Sequence, residues 1–265
     1  MGLPIKIEKE IYKLQNKRYR KELYKYLLEG VLCITELLNA RIIPEYIVRS
    51  ESFEKHPRAK KLLDKIAELK IPVYIMPDDE FKKIVDTVSP QGILCSAPMQ
   101  FSPIEPALNS AKSRIIVLDT ISDPGNLGTI IRTAVAFNMS GLVILSKSVE
   151  LYNTKVIRSA LGSHLHIPII SDIEPDMILQ TLKQRNFKIY ATSPKVTKSY
   201  TSVINKNDEK IAIVIGNEHH GISEVFINDE SIEKITVPIS DKVESLNAAV
   251  TSAIVMSYLS EVEPK

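Results

Sequence analysis

From residue 111 onward, apolar runs of strand length alternate with helical patterns, and this alternation constrains the fold more than any other feature. The runs are apolar on both faces, as the strands of a buried parallel sheet are. Strands are predicted at residues 114–119, 141–146, 164–170, 187–193, 210–218 and 234–239. Helices are predicted at residues 127–138, 152–160, 175–185 and 245–259. This part of the chain is therefore predicted to be an α/β fold with helices on both faces of a parallel sheet.

The first hundred residues predict a second, smaller α/β domain. Its helices are expected at residues 29–40, 57–70 and 78–88, and its strands at residues 45–50, 71–76 and 91–97. Residues 98–110 carry three prolines and no periodicity, which is typical of a linker. We therefore predict one domain at 1–97, a linker at 98–110 and a second domain at 111–265.

Local motifs argue against several functional classes. The longest apolar runs are too short to span a membrane, and the opening MGLPIKIEKE predicts neither a secretory nor a transit peptide. The fingerprints GxGxxG and GxxxxGK[ST] are absent, which argues against a dehydrogenase and a P-loop NTPase. Cys33 and Cys95 lie in apolar stretches, and we predict buried free thiols in a reducing, cytoplasmic setting. The adjacent residues His219 and His220 would point apart, so no metal site is predicted.

Positive charge is concentrated near the beginning of the chain. Residues 6–25 hold eight Lys and Arg side chains against three acids, interleaved with Tyr12, Tyr19 and Tyr24. That composition suits phosphate contacts combined with base stacking. A basic helical stretch is also typical of an ordinary solvated face. The candidate RNA-binding residues are Lys13, Lys17, Arg18, Arg20 and Lys21.

Three short segments carry the polar side chains that could perform chemistry. They read DPGNLGTIIRTA at 123–134, IGNEHHGIS at 215–223 and VPISDKVESLNAAV at 237–250. Each follows a predicted strand, and open α/β sheets bind ligands at the carboxyl ends of their strands. Of the 9 glycines in the chain, four lie in the first two segments, where close backbone approach or a positive φ is expected. The segments predict a ligand site at one edge of the sheet.

Taken together, these segments resemble the SpoU (TrmH-like) family of the knotted SPOUT methyltransferases. The first family motif runs from Asn-x-Gly to Arg-Thr-Ala, here residues 126–134. The second is a strand ending in Gly-Asn-Glu, here residues 216–218, and the third contains Glu-Ser-Leu-Asn, here residues 244–247. The resemblance implies methyl transfer from S-adenosylmethionine to ribose 2′-hydroxyls of RNA. It also implies a Rossmann-like α/β fold with a deep trefoil knot, in which the last helix is threaded through a loop.

The resemblance extends to the front of the chain. Family members that modify ribosomal RNA often carry an N-terminal substrate-binding domain similar to a small ribosomal protein. Its features include a Leu-x-Glu-Gly turn into a helix, approximated here by residues 28–30, and a Pro-Gln-Gly before the last strand, here residues 90–92. The domain at 1–97 is accordingly expected to bind the RNA substrate.

The same resemblance implies the residues of the site. Catalytic side chains are expected at Asn126, Arg132, Glu218, Ser245 and Asn247. The backbone of three loops is expected to bind the cofactor, at Thr192, Ser193, Ile215, Gly216, Ile239 and Leu246.

Methyl transfer from a sulfonium needs an aligned attack by a sufficiently nucleophilic oxygen. The usual proposal for the family makes the arginine at the position of Arg132 the base. A guanidinium is hard to deprotonate in a protein, so we expect Arg132 to stabilise the developing oxyanion instead. Glu218 would orient that arginine or bind ribose, and Ser245 fits the N-cap of the last helix.

The leading hypothesis is thus a ribose 2′-O-methyltransferase that acts on ribosomal RNA of the 23S type. The resemblance also implies a homodimer packed through the last helix. Two alternatives stay open: the same enzyme acting on transfer RNA, and a non-catalytic RNA-binding protein of the same fold.

Overall fold

The computed structural model describes residues 3–101, 103–217 and 220–262. They divide into two compact units. The first contains the described residues up to Gln100 together with Tyr152–Leu165, and the second contains Phe101–Leu151 and the described residues from His166 onward. Across these described ranges, no helix is both long enough and apolar enough to cross a membrane.

The first unit is built on a mixed four-stranded sheet. The front of the chain contains α1 (Ile5–Leu14), α2 (Lys17–Leu23), β1 (Lys25–Glu29), α3 (Val31–Asn39), β2 (Tyr46–Ser50), a 3-10 helix (Glu51–Lys55), α4 (Ala59–Glu68), β3 (Val73–Met76), α5 (Asp78–Phe81) and β4 (Ile93–Pro98). The strand order is β1-β4-β2-β3, with β4 antiparallel to both neighbours and β2 parallel to β3. One core cluster of this unit includes Ile11, Leu14, Val48 and Leu94, so α1 covers the sheet with its apolar face.

The second front motif contacts the helix that begins directly after the first. The side-chain oxygen of Gln91 accepts a hydrogen bond from the backbone N–H of Val31, at 2.8 Å. Gly92 has φ +77°, and a Cβ there would lie 2.5 Å from the hydroxyl oxygen of Ser50. A larger residue at this turn would be strained and would clash with that side chain. The motifs therefore hold the start of α3 against the loop that leads into β4.

The rest of the chain contains the second sheet. Its elements are α6 (Glu105–Asn109), β5 (Ser113–Leu118), α7 (Pro124–Ala136), β6 (Gly141–Leu145), α8 (Thr154–Ala160), a 3-10 helix (Ser163–Leu165), β7 (Ile169–Ile173), α9 (Pro175–Gln184), β8 (Lys188–Thr192), α10 (Tyr200–Val203), β9 (Lys210–Ile215), α11 (Glu224–Ile227), β10 (Glu233–Ile235) and α12 (Ala248–Leu259). Six strands pair in the order β10-β8-β9-β5-β6-β7, and every pairing is parallel. The predicted α/β class with a parallel sheet and a smaller front unit is confirmed.

Helix α8 and the 3-10 helix after it belong to the first unit, although they follow β6 in sequence. The hydroxyl of the buried Tyr26 lies 2.9 Å from Nε2 of His164. Arg158 on α8 forms an ion pair with Glu29 at the end of β1, at 3.3 Å. The sequence pattern assigned this stretch to the second domain, because local periodicity does not report which sheet a helix covers.

Several predicted boundaries differ from the structure. The linker at 98–110 contains α6, and Ile104, Ala107 and Leu108 are buried in the core of the second unit. The strand predicted at 164–170 begins only at Ile169, after Pro168, which cannot donate a ladder hydrogen bond. The helix predicted at 78–88 ends at Phe81. The last helix begins at Ala248 rather than at residue 245.

Candidate active site

One cavity lies at the carboxyl edge of the second sheet. Strands β10, β8 and β9 are neighbours and all run parallel, so the loops that follow them meet at this edge. The cavity has a volume of about 250 Å³, close to the lower end of the ~300–1,000 Å³ typical of small-molecule clefts. Its lining includes all six residues that were predicted to bind the cofactor: Thr192, Ser193, Ile215, Gly216, Ile239 and Leu246.

The loop after β9 approaches its own chain closely. Asn217 and Gly221 exchange two backbone hydrogen bonds, each of 2.9 Å, which closes the loop at its base. A Cβ added at Gly216 would lie 2.4 Å from the carbonyl oxygen of Gly221. Glycine is therefore required at 216 because backbone occupies the space of a side chain. Glu218, predicted to be catalytic, lies with His219 outside the described residues.

Two of the predicted catalytic residues contact each other directly. The side-chain nitrogen of Asn247 donates a hydrogen bond of 2.9 Å to the side-chain oxygen of Asn126. Asn126 lies in the first turn of α7, which Asp123 caps by accepting the N–H of Asn126 at 2.7 Å. Helix α12 packs on α7, so the first and third motifs meet at the amino ends of two packed helices.

The N-cap of α12 is Asn247, and the prediction that Ser245 caps this helix is wrong. The side-chain oxygen of Asn247 accepts hydrogen bonds from the backbone N–H groups of Ala249 and Val250, at 2.9 and 3.3 Å. An asparagine is among the best N-cap residues because its oxygen satisfies two otherwise free donors. Ser245 instead lies before the helix, exposed, and lines the cavity.

Arg132 lies on the exposed side of α7. Within the described parts of the chain, no side chain forms a hydrogen bond or an ion pair with its guanidinium, and it is not among the residues that line the cavity. The structure therefore brings Ser245 to the cavity and pairs Asn126 with Asn247, but leaves Arg132 exposed to solvent.

Sequence reasoning missed one buried charge at this edge of the sheet. Asp119 follows β5 and is fully buried, with 0% of its surface exposed. Burial raises the pKa of its carboxyl group, while hydrogen bonds from Ser223 and the charge of Lys147 act in the opposite direction. One feature of the sequence could have indicated this residue: an acid ends the apolar run RIIVLD. A charged group at the end of a buried strand needs a hydrogen-bonding partner.

The candidate RNA-binding residues do not share one environment. Lys13, Lys17, Arg18 and Lys21 are exposed on α1 and α2. Arg20 is only 2% exposed, and its Nη1 donates to the carbonyl oxygens of Leu14 and Gln15, both at 2.8 Å. These carbonyls end α1 and lack partners within the helix. The prediction that Arg20 contacts RNA is therefore wrong, because this side chain caps α1.

Metal-ligating side chains do not cluster in the described structure: no group of three or more His, Cys, Asp or Glu residues there could hold an ion.

Comparison with known proteins gives consistent matches over both units. Residues 113–257 match the SpoU rRNA Methylase family, and residues 6–95 match the MRM3-like substrate binding domain. The chain is 30% identical over 254 residues to the 23S rRNA (guanosine(2553)-2′-O)-methyltransferase RlmP of Bacillus subtilis, an alignment that covers 95% of this chain and 94% of that protein.

Two solved structures share the fold. The AdoMet-bound rRNA methyltransferase from Sinorhizobium meliloti superposes with a TM-score of 0.83 at 22% identity, covering 97% of this chain and 94% of that one. The SpoU methyltransferase AviRb from Streptomyces viridochromogenes, in complex with AdoMet, gives a TM-score of 0.81 at 19% identity and covers 96% of each chain. At these identities the likeness concerns the fold.

Proposed function

Because the chain belongs to the SpoU rRNA methylase family, we propose that it methylates a ribose 2′-hydroxyl of ribosomal RNA, of the 23S type. It is an RNA methyltransferase that uses S-adenosylmethionine. The observation that carries the proposal is the cavity at the ends of β8, β9 and β10, where six residues of the expected cofactor set converge. The relative from Bacillus subtilis, similar over almost its whole length, supports the ribose 2′-oxygen and the ribosomal substrate.

The residues of the cavity fit S-adenosylmethionine. Ile215, Ile239 and Leu246 offer apolar surface for a flat purine, and polar side chains such as Thr192 lie beside them. The absence of a side chain at Gly216 leaves backbone available at the wall of the cavity. The carboxylates of Asp241 and Glu244 also line it, and they match the positive charge of a sulfonium and an ammonium group. When bound, the cofactor supplies an electrophilic methyl group.

The chemistry assigned to the protein is alignment and charge stabilisation. The side chains at the edge of the cavity would hold the ribose hydroxyl in line with the methyl group that the cofactor would supply, and the hydroxyl proton would pass to solvent. We assign the stabilisation of the developing oxyanion to the guanidinium cation of Arg132. Asn126 and Asn247 would position the ribose, and Ser245 would contact it beside the cavity. Glu218 would orient Arg132 or bind ribose, as the family motif suggests.

We assign the RNA surface to the first unit and the cofactor site to the second. The exposed residues Lys13, Lys17, Arg18 and Lys21 would bind phosphates, and Tyr12 and Tyr24, 44% and 62% exposed, offer faces for stacking. The match of residues 6–95 to a substrate binding domain supports this assignment. The proposed domains remain 1–97 and 111–265, with Tyr152–Leu165 added to the first.

Three further features are proposed with the function. The chain would carry the family's trefoil knot and form a homodimer through α12. This helix has no charged residue, and it leaves Val250 47% exposed, which supports an apolar partner there. A ribosomal RNA substrate, with Cys33 and Cys95 present as free thiols, favours a reducing, cytoplasmic location.

Methylation assays with purified RNA test the function. The protein is incubated with methyl-labelled S-adenosylmethionine and naked 23S ribosomal RNA, assembled large subunits or transfer RNA, and labelled RNA is then hydrolysed in alkali. We expect one alkali-resistant dinucleotide from ribosomal RNA, since a methylated 2′-oxygen cannot attack the adjacent phosphate. Label on a base would contradict the assigned position. Label found only in transfer RNA would show that transfer RNA, and not ribosomal RNA, is the substrate. Cofactor binding without any methyl transfer would favour a non-catalytic RNA-binding protein.

A further inference from the structure

Asp119 connects the end of β5 to the end of β9 and to the segment that follows β9. Asp119 directly follows β5, and its backbone N–H donates to the carbonyl oxygen of Ile215 at the end of β9. Oδ2 accepts the backbone N–H of Ser223 at 2.6 Å, and Oδ1 accepts the hydroxyl of Ser223 at 2.8 Å. Both carboxylate oxygens thus bind one residue, Ser223, which follows the closed loop after β9.

A second connection runs in the opposite direction. The side-chain nitrogen of Asn217 donates to the carbonyl oxygen of Thr120 and to the hydroxyl of Ser122, each at 3.2 Å. Thr120 has φ +56°, a conformation that a β-branched residue rarely adopts. Such strain persists only where the surroundings hold it, and it is common at functional sites. The loop after β5 and the loop after β9 therefore hold each other at two points.

These two connections attach a loop that forms part of the cavity wall. Gly216 and Gly221 both line the cavity, and both belong to the loop that Ser223 and Asn217 attach to the end of β5. Asp119 itself does not line it. We propose that Asp119 is a positioning residue, which acts through Ser223 to hold Gly216 and Gly221 at the distance that cofactor binding requires. This inference rests on the proposed function, because it assigns the cavity to S-adenosylmethionine.

Substitutions at Asp119 distinguish a role in positioning the cavity loop from a general contribution to the stability of the fold. Asp119→Ala removes both acceptors of Ser223. Asp119→Asn keeps the shape, and its amide oxygen can accept the N–H while its amide nitrogen donates to the hydroxyl. Ser140→Ala is the matched control, because the Ser140 hydroxyl accepts the N–H of Arg114 at 2.9 Å near the opposite end of the same strand. The calorimetric affinity for S-adenosylhomocysteine, the Michaelis constants for S-adenosylmethionine and for RNA, kcat and Tm are measured for each full-length variant, and the affinity should change in parallel with the Michaelis constant for the cofactor.

For Asp119→Ala we expect the KM for S-adenosylmethionine to rise at least about fivefold, the lower end of typical coupling between linked groups. The KM for RNA should stay at the parent value. Asp119→Asn should restore the KM for the cofactor, and Ser140→Ala should leave it unchanged even if Tm falls. An unchanged cofactor KM in Asp119→Ala, or an equal rise in Ser140→Ala, would overturn the inference. So would failure of Asp119→Asn to restore binding.

If Asp119→Ala does not fold, Ser223→Ala decides the question. It removes only the hydroxyl contact, so a smaller rise in the KM for the cofactor supports the inference and a parental value overturns it. Measurements on the parent protein distinguish failure of the proposed function from failure of the positioning role of Asp119. A parent that neither binds S-adenosylmethionine nor methylates ribose contradicts the proposed function. An active parent whose Asp119 variants behave identically to it contradicts the positioning role alone.

Discussion

Asn247 donates a side-chain hydrogen bond of 2.9 Å to Asn126, a residue 121 positions earlier in the chain. The same side chain caps α12 through its oxygen, while its nitrogen reaches the first turn of α7. One residue therefore performs two tasks, starting a helix and joining the first and third sequence motifs. Since the helix that Asn247 starts packs on α7, the bond aligns two parts of the proposed ribose site.

Serine at position 247 should separate these two tasks. Asn247→Ser keeps a good cap but shortens the side chain, so it loses the contact with Asn126. We expect thermal stability near that of the parent and methylation reduced by up to about 10²-fold, the cost of a misplacement of about 1 Å. Asn247→Ala should in addition lose about 0.5–2 kcal/mol of unfolding free energy with the cap. Full activity in Asn247→Ser would show that the bond is dispensable.

Arg132→Ala should abolish most methyl transfer and leave the fold intact. The side chain is exposed, and alanine favours a helix, so α7 should persist. Loss of one charge-stabilising group typically costs about 10²–10³-fold in kcat. Calorimetry should find the affinity for S-adenosylhomocysteine unchanged, because Arg132 does not line the described cavity. Arg132→Lys keeps the charge without the planar fork and should recover part of the rate. Activity of the alanine variant within a few-fold of the parent contradicts the role.

Gly216→Ala should remove cofactor binding. The new Cβ would lie 2.4 Å from the Gly221 carbonyl oxygen, so backbone that lines the cavity must move. Gly141→Ala is the control, because the atoms nearest to a Cβ there are side-chain carbons of Ile115 and Ile104, at 3.3 and 3.4 Å, rather than backbone. Calorimetric titration with S-adenosylhomocysteine should distinguish the two variants. Parental affinity in Gly216→Ala would place the cofactor elsewhere.

Neutralising the exposed basic residues of α2 should weaken RNA binding and its dependence on salt. The change is Lys17, Arg18 and Lys21 to Gln. Each lost phosphate contact lowers the salt slope by about 0.7 on single strands, so the slope should fall by about 2 in total. Filter binding or anisotropy at several salt concentrations gives this slope.

A matched control removes three positive charges from a different helix of the first unit, α4, and from its N-cap. Arg58, Lys60 and Lys61 are exposed there, and their replacement by Gln also removes three positive charges. We expect this variant to keep the parental slope. Equal reductions in both triple variants would mean that RNA responds to net charge rather than to the surface of α2.

The ion pair between Lys183 and Asp229 should make the free energy of unfolding depend on pH in the acid range. Hydrogen bonds from Lys183 and Ser231 lower the pKa of Asp229 from 3.8 to about 2. Because the folded-state pKa is depressed, the stabilisation is complete above about pH 4 and disappears as the pH falls towards 2. Its size should be about 0.2–1 kcal/mol, as for other surface pairs.

Titration of the Asp229 carboxyl group by NMR measures its pKa in the folded protein directly. In Lys183→Met the midpoint should rise towards 3.8, while the contact with Ser231 keeps it somewhat lower. The difference in unfolding free energy from the parent should be constant between pH 5 and pH 7 and should shrink in acid. A midpoint that does not move would show that Lys183 is not the main cause.

Periodicity and motif order predict the class of this fold from the sequence alone. Parallel strands buried on both faces require apolar residues at successive positions, a local signal that a single sequence shows directly. The positions of the candidate cofactor residues came from the resemblance to the SpoU family and not from periodicity. The family resemblance then supplied the chemistry that composition alone does not indicate.

Only the tertiary structure decided which side chains serve which partner. Arg20 belongs to the most basic stretch of the chain, yet it caps α1 from the inside. In the sequence Asp119 is only the last residue of a predicted strand, yet its carboxylate accepts a hydrogen bond from Ser223, 104 positions later. Helix α8 lies in the part of the sequence predicted to form the second domain, yet it joins the first unit. The outcomes for Asp119 and α8 depend on groups that are distant in sequence, and the outcome for Arg20 depends on carbonyl groups that lack partners only once α1 has formed and ended. A local pattern cannot specify such partners, because hydrogen bonds are satisfied by the folded chain as a whole.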